Sequence, residues 1–177
     1  MPKYFLDTSA LAKLYRKETG SDCMDRILRE PGSQSLISRL SIVEMESVFA
    51  IKVRTGEIDP RDVEIARRCL RADLTQSRLL VGPPIRTHHY QAARTLLAKY
   101  GVAEGLRTLD ALQLAIALDL QKFGLITVMV AADQKLCRVA ALSGCSAVNP
   151  DQTESRSQHN LAREFSAIAA SIEWPPA

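Results

Sequence analysis

The chain has no apolar run long enough to cross a bilayer. The longest, residues 111–118, is broken by Gln113 and falls far short of the roughly 20 residues that a spanning helix needs. The opening Met1-Pro2-Lys3-Tyr4-Phe5-Leu6-Asp7 has no long apolar segment and reads straight into a strand, so no signal peptide is visible. Cys23, Cys69, Cys137 and Cys145 show no CxxC spacing and no adjacent histidine. They read as buried thiols in a reducing cytosol, neither disulfides nor a zinc site. A Gly-rich phosphate loop and a nucleophilic Ser-His set are also missing, which argues against P-loop and serine-hydrolase chemistry. Asp7-Thr8-Ser9 lacks the second aspartate of an aspartyl-phosphate phosphatase. No internal repeat or low-complexity segment stands out.

These absences leave a cytoplasmic globular domain with no membrane association. The 46% hydrophobic and 24% charged fractions are ordinary for that class. A chain of 177 residues is most simply one domain, large enough to bury roughly 70% of the surface its unfolded form exposes. The net charge of +3 favours a polyanionic partner only mildly, because it does not say where the positive residues lie.

Hydrophobic periodicity alternates strands with helices. Residues 3–6, 35–38, 79–81, 127–132 and 146–148 read as short strands. Residues 9–15, 22–29, 42–53, 59–70, 87–99, 111–121 and 135–142 read as helices, punctuated by Gly20, Pro31-Gly32, Gly56, Pro83-Pro84 and Gly144. Gly101 and Gly105 flank an expected loop. The 111–121 helix is apolar almost all round, which marks it as central and packed on both sides. The expected fold is α/β, a central parallel sheet flanked by helices, over residues 1–150. Beyond it, residues 151–160 read as a polar linker. Leu161, Phe165, Ile168 and Ile172 then repeat at helical spacing and predict an amphipathic C-terminal helix that docks on its own domain or on a partner subunit.

Asp7 ends the first strand and Asp133 ends the fourth. In open parallel sheets ligands bind beyond the carboxyl ends of the strands, so both fall on the functional edge. Glu44 and Asp110 each read as lying in the first turn of a helix starting at that same edge. Singly, each has a structural explanation: Asp7 and Asp133 as helix caps, Glu44 as half of a capping box with Ser41, Asp110 as a complement to a helix dipole. Jointly, like charges at about 4 Å repel by roughly 4 kcal/mol per pair at an effective dielectric near 20. A divalent cation relieves that repulsion, and oxygen ligands without nearby Cys or His select Mg²⁺ or Mn²⁺ over zinc. Arg107, three residues before Asp110, is the phosphate-binding candidate at this edge. Arg67, Arg68 and Arg71 form an outer face open to solvent or to phosphates. His88-His89 reads as an exposed pair, since adjacent residues do not share a helix face.

The run Leu6-Asp7-Thr8-Ser9-Ala10-Leu11, the Glu44 helix, the run Leu106-Arg107-Thr108-Leu109-Asp110-Ala111-Leu112, and Ala132-Asp133 through Leu136, Ala140-Ala141, Gly144 and Val148-Asn149-Pro150 occur in a set order. Together they resemble the PIN-domain ribonucleases, specifically the VapC-type toxins of prokaryotic toxin–antitoxin pairs. The resemblance implies a PIN-like three-layer fold and a Mg²⁺-dependent endoribonuclease, with Mn²⁺ as an alternative cation. It implies Asp7, Glu44, Asp110 and Asp133 as the metal-binding active site, Asp7 and Asp110 being the principal ligands and Ser9 supporting the first carboxylate. It implies RNA as substrate, a cognate antitoxin as partner, and a homodimer. Two rival readings are a PIN nuclease of RNA processing or DNA metabolism without an antitoxin, and an idle PIN-like domain kept for protein binding. The intact acidic set argues against idleness. Gln113 stands where many relatives have His, and Ala131 where a Thr often precedes the last Asp by two; neither departure removes a carboxylate.

Overall fold

In the computed structural model, which describes residues 1–152, the chain alternates short strands with helices. The expected C-terminal helix carrying Leu161, Phe165, Ile168 and Ile172 lies outside the described residues. In order the elements are β1 (Lys3–Leu6), α1 (Thr8–Leu11) tightening into a 3-10 turn (Ala12–Leu14), α2 (Ser21–Arg29), β2 (Gln34–Ile37), α3 (Arg39–Arg54), α4 (Pro60–Thr75), β3 (Leu80–Val81), α5 (Thr87–Glu104), α6 (Thr108–Lys122), β4 (Val128–Val130), α7 (Gln134–Leu142) and β5 (Ala147–Val148).

The five strands form one parallel sheet in the order β3-β2-β1-β4-β5. Strand periodicity explains the three layers. Phe5, Leu36 and Met129 point to one face and pack with α5, α6 and α7, whereas their chain neighbours Leu6, Ile37 and Val130 point to the other and pack with α1 through α4. Both faces are covered, as a parallel sheet requires. Phe5, Leu6, Ile37 and Met129 are fully buried, each contributing about 1.5–3 kcal/mol by leaving water. Among the described residues no helix is long and apolar enough to cross a membrane.

The structure departs from the sequence reading at several places. α5 runs on through Gly101 to Glu104, and only Gly105, left-handed at φ 68°, ends it. A mid-helix glycine costs about 1 kcal/mol, offset here by the buried seam of Ala93, Leu96 and Tyr100. α3 begins at Arg39 rather than near Ile42. Cys69 is exposed on α4, whose buried face is Val63, Ala66, Leu70 and Asp73. All four cysteines are free. Past the expected boundary at residue 150, Asp151 still packs on the domain, its Oδ1 lying 2.9 Å from Nζ of the buried Lys13.

Candidate active site

The chain passes from β1 outward to β2 and β3, then returns to the opposite side of β1 for β4 and β5. This reversal makes the gap between β1 and β4 a topological switch point, the place beyond the strand ends where open α/β sheets hold their ligands. Asp7 and Asp133 flank it. The Asp7 N–H donates to Val130 O at 2.9 Å, which places the exit of β1 directly beside the exit of β4.

Asp7 is 5% exposed and caps α1. Its Oδ2 accepts from Ser9 N (3.0 Å) and from Ser9 Oγ (2.6 Å), while Ser9 Oγ itself accepts from Ala132 N at 3.0 Å. One hydroxyl thus ties the two strand exits together. Burial pushes the Asp7 carboxyl above its ordinary range, the two Ser9 bonds oppose that, and the charge of Asp133 adds to it. Asp133 caps α7, its Oδ1 accepting from Lys135 N (2.7 Å) and Leu136 N (3.1 Å). Asp110 sits in the first turn of α6, half-buried. Burial, then the charges of Asp7 and Asp133, push its pKa up to about 6 against the counter-pull of Arg107.

Glu44 belongs to the same edge for a different reason than its spacing suggested. The helix cap of α3 is Ser38, extended at φ −78° and ψ 160° as β2 ends, and its Oγ accepts from Ser41 N at 3.0 Å. Ser41 is therefore already inside the helix, and Glu44 lies in the second turn with no capping role. Its Oε2 accepts from Thr8 Oγ1 (2.7 Å) and Gln113 Nε2 (2.5 Å). Burial raises the Glu44 pKa, those two bonds lower it, and Asp7 raises it again. The sequence reading passed over Thr8 and named Gln113 only as a departure from the family pattern, without a role at Glu44. The clue was the one polar residue within the apolar run 111–118, since a buried amide demands partners. Gln113 is 1% exposed, and its Oε1 has no partner, an omission of the kind that costs about 1–3 kcal/mol.

Asp7 is the common electrostatic neighbour of the other three acids through these mutual shifts. The cluster is nevertheless open: no three of these acids bring carboxylate oxygens within 4.8 Å of one another. The repulsion reckoned at 4 Å is thus an upper figure. The donor set suits a hard divalent cation, being all oxygen with several charges uncompensated. The nearby Cys137 does not compete, because burial and the charges of Asp133 and Asp7 push its thiol up to about 11 and its Sγ donates to Ala131 O at 3.2 Å. Arg107, exposed at the start of α6, is the cation beside Asp110. Arg67 is held by Glu46 (2.6 Å) and Glu64 (2.5 Å), which removes it as a free phosphate ligand.

The group that does fall within 4.8 Å is His88, His89 and Asp119, at the far end of α6. These histidines are not the exposed pair their adjacency suggested: His89 is 2% exposed, and the Nε2 atoms of His88 and His89 lie 3.3 and 3.2 Å from Asp119 Oδ2. The arrangement is a clamp rather than a metal site. Arg86 N donates to His89 Nδ1 at 2.9 Å, so the Nε2 of a neutral ring carries the hydrogen and donates to Asp119. Ligation through that Nε2 would cost the cap of α5.

The parallel sheet, its β1/β4 switch point and the acids gathered at its carboxyl edge define a doubly wound α/β domain. The PIN domain family model matches residues 4–142, and the chain belongs to that family. Comparison with curated protein sequences gave no match. Among solved structures, a protein of Pyrobaculum aerophilum is similar at 21% identity and TM-score 0.52, covering 88% of this chain and 94% of that one. VapC20 of Mycobacterium tuberculosis, a sarcin-ricin loop cleaving toxin, is similar at 20% identity and TM-score 0.58 over 83% and 99%. VapBC2 of Rickettsia felis, bound to a DNA fragment from its promoter, is similar at 16% identity and TM-score 0.54 over 83% and 98%.

Proposed function

We propose that the chain is a divalent-cation-dependent endoribonuclease and the toxin of a toxin–antitoxin pair. The observation that carries the reading is the gathering of Asp7, Asp110 and Asp133 at the β1/β4 switch point of a PIN domain, close enough that burial and the charges of Asp7 and Asp133 raise the pKa of Asp110. In this reading Asp7 and Asp110 are the principal ligands of Mg²⁺, or of Mn²⁺, with Glu44 and Asp133 completing the set. The cation would supply charge stabilisation at the scissile phosphate and a more acidic attacking water. The chain's own residues do the rest. Ser9 holds Asp7 by two hydrogen bonds to one oxygen. Asp133 keeps Oδ1 on the α7 amides, so Oδ2 is its oxygen for the crevice. Arg107 offers a positive charge to the phosphate backbone beside the reacting group.

The fold likeness to VapC20 and VapBC2 favours the toxin reading over a processing nuclease, and with it an antitoxin as partner; the homodimer rests on the family resemblance alone. The test is cleavage of single-stranded RNA by the purified chain with Mg²⁺ or Mn²⁺, alongside growth on expressing the chain alone and with its neighbouring gene. Cleavage without growth arrest, and without a co-purifying neighbour, would leave a nuclease and remove the toxin.

A further inference from the structure

The amide of Gln113 occupies an unusual position. It lies on α6 three residues beyond Asp110, hence on the same helix face and one turn deeper. Its Nε2 has two hydrogens, and the nearest acceptors are Glu44 Oε2 at 2.5 Å and Ser41 Oγ at 3.0 Å, both on α3. Thr8 Oγ1, 3.3 Å from the same nitrogen, gives its own hydrogen to Glu44 Oε2 at 2.7 Å. Two donors from different elements therefore converge on one oxygen of Glu44, and Oε1 takes none.

The amide could face the other way only by turning its carbonyl oxygen against a carboxylate. Both of its donors are thus committed to α3, and its Oε1 is left buried without a partner. An amide that merely filled the core would satisfy both ends. A neutral donor also orients a carboxylate without cancelling its charge, which leaves the charge to be met by something else.

We infer that Gln113 is a positioning residue that ties back Glu44 Oε2, sets the spacing between Glu44 and Asp110, and leaves Glu44 Oε1 as the single oxygen offered to a divalent cation. This rests on the reading of the acidic crevice as a cation site. Outer-sphere partners of this kind change metal affinity by roughly 10- to 100-fold.

The test is Mn²⁺ binding to the full chain without RNA, read from the electron paramagnetic resonance of free Mn²⁺, beside the Tm of each variant. Gln113→Met keeps length and volume and removes both donors. It should fold with a Tm at or above that of the parent, because the orphaned oxygen goes, and should weaken Mn²⁺ binding about 10-fold or more. Gln113→His restores a donor and should recover most of that loss. Thr8→Val removes the other donor to Oε2 and should weaken binding in the same direction, which keeps the inference testable if Gln113→Met does not fold. Unchanged affinity in a folded Gln113→Met, or in Thr8→Val, overturns the inference, as does equal weakening by Met and His. A parent that cleaves no RNA but loses Mn²⁺ affinity on Gln113→Met sinks the nuclease reading alone. A parent that cleaves RNA with Mn²⁺ affinity indifferent to Gln113→Met sinks this inference alone.

Discussion

The two ends of α6 carry an acid each and treat it in opposite ways. Asp110 and Asp119 are nine residues apart, about 14 Å along the helix axis. Asp119 has two imidazole donors, and although its partial burial pushes the other way, their hydrogen bonds hold its pKa below the ordinary value. Asp110 has burial and two like charges, and its pKa rises to about 6. Proximity of ligand atoms would select the other end, since among the described residues only the Asp119 group is tight. Compensation selects the Asp110 end, in keeping with the proposed function. A clamp satisfies its acid from within the protein, whereas a binding site leaves charge for a ligand to satisfy.

Neutralising each acid should break this contrast most visibly. Asp110→Asn keeps shape and removes a ligand charge, so RNA cleavage should fall by roughly 100-fold or more, measured at equal Mn²⁺. Asp119→Asn should leave cleavage within the error of the parent. If Asp110→Asn cleaves like the parent, the assigned edge is wrong.

The next largest effect is the cation's contribution to stability. Mn²⁺ at 100 times its Kd should add about 2.7 kcal/mol by mass action, read as a rise in Tm. The sign of its pH dependence follows from Asp110. Its folded pKa of about 6 lies above the ordinary aspartate value of 3.8, so the folded state holds that proton more tightly. Metal-free stability from this group is greatest below pH 4 and is lost as pH rises through about 6. The Mn²⁺ response should therefore be larger at pH 7.5 than at pH 5, and Asp110→Asn should flatten the difference. A response equal at both pH values would dissociate the cation from this carboxylate.

Much of the frame was legible because the strands are bounded by breakers and the helices are strongly periodic. Asp7, Asp110 and Asp133 could be placed because each adjoins a strand end or a helix start. What stayed hidden depended on three dimensions. Ser41-x-x-Glu44 has the spacing of a capping box, yet Ser38, released from β2 in extended geometry, took the cap. That displaced Glu44 by a turn and handed it to Thr8 and Gln113. Arg86 and His89 are likewise three apart at a helix start, but a box made from a backbone N–H and an imidazole is not a pattern that spacing alone announces. The neighbouring of β1 and β4, on which the crevice depends, is encoded by packing on both sheet faces and by no local motif.

The clamp end gives a smaller effect, confined to stability. Asp119 is partly solvent-exposed, so Asp119→Asn should cost about 1 kcal/mol, seen as a lower denaturation midpoint at pH 7 with cleavage retained. Its lowered pKa makes that contribution present above the ordinary aspartate range and lost as pH falls through it, below about 4. Zn²⁺ should raise the Tm of Asp119→Asn as much as that of the parent. A zinc response that vanished in this variant would mean that the clamp opens to bind metal.

The finest distinction concerns the two serines and the glutamate of α3. If Ser38 is the cap, Ser38→Ala should cost about 1 kcal/mol, without altering Mn²⁺ affinity beyond what α3 fraying imposes. Glu44→Gln should do the reverse. Glu44 bears no capping bond, and its carboxylate is held above its ordinary pKa by burial and by Asp7, so losing the charge should leave the denaturation midpoint unchanged or higher at pH 7. The same substitution removes a ligand and should weaken Mn²⁺ binding and cleavage together. A capping box at Ser41 and Glu44 forecasts instead that Glu44→Gln keeps its Mn²⁺ affinity, because Gln serves equally well in the box, and that Ser38→Ala costs nothing, because Ser38 would then be dispensable. Denaturation midpoints of the two single variants, measured with and without Mn²⁺, decide between these accounts. A Glu44→Gln that keeps both its denaturation midpoint and its Mn²⁺ affinity would return Glu44 to a structural role and leave the crevice with three acids.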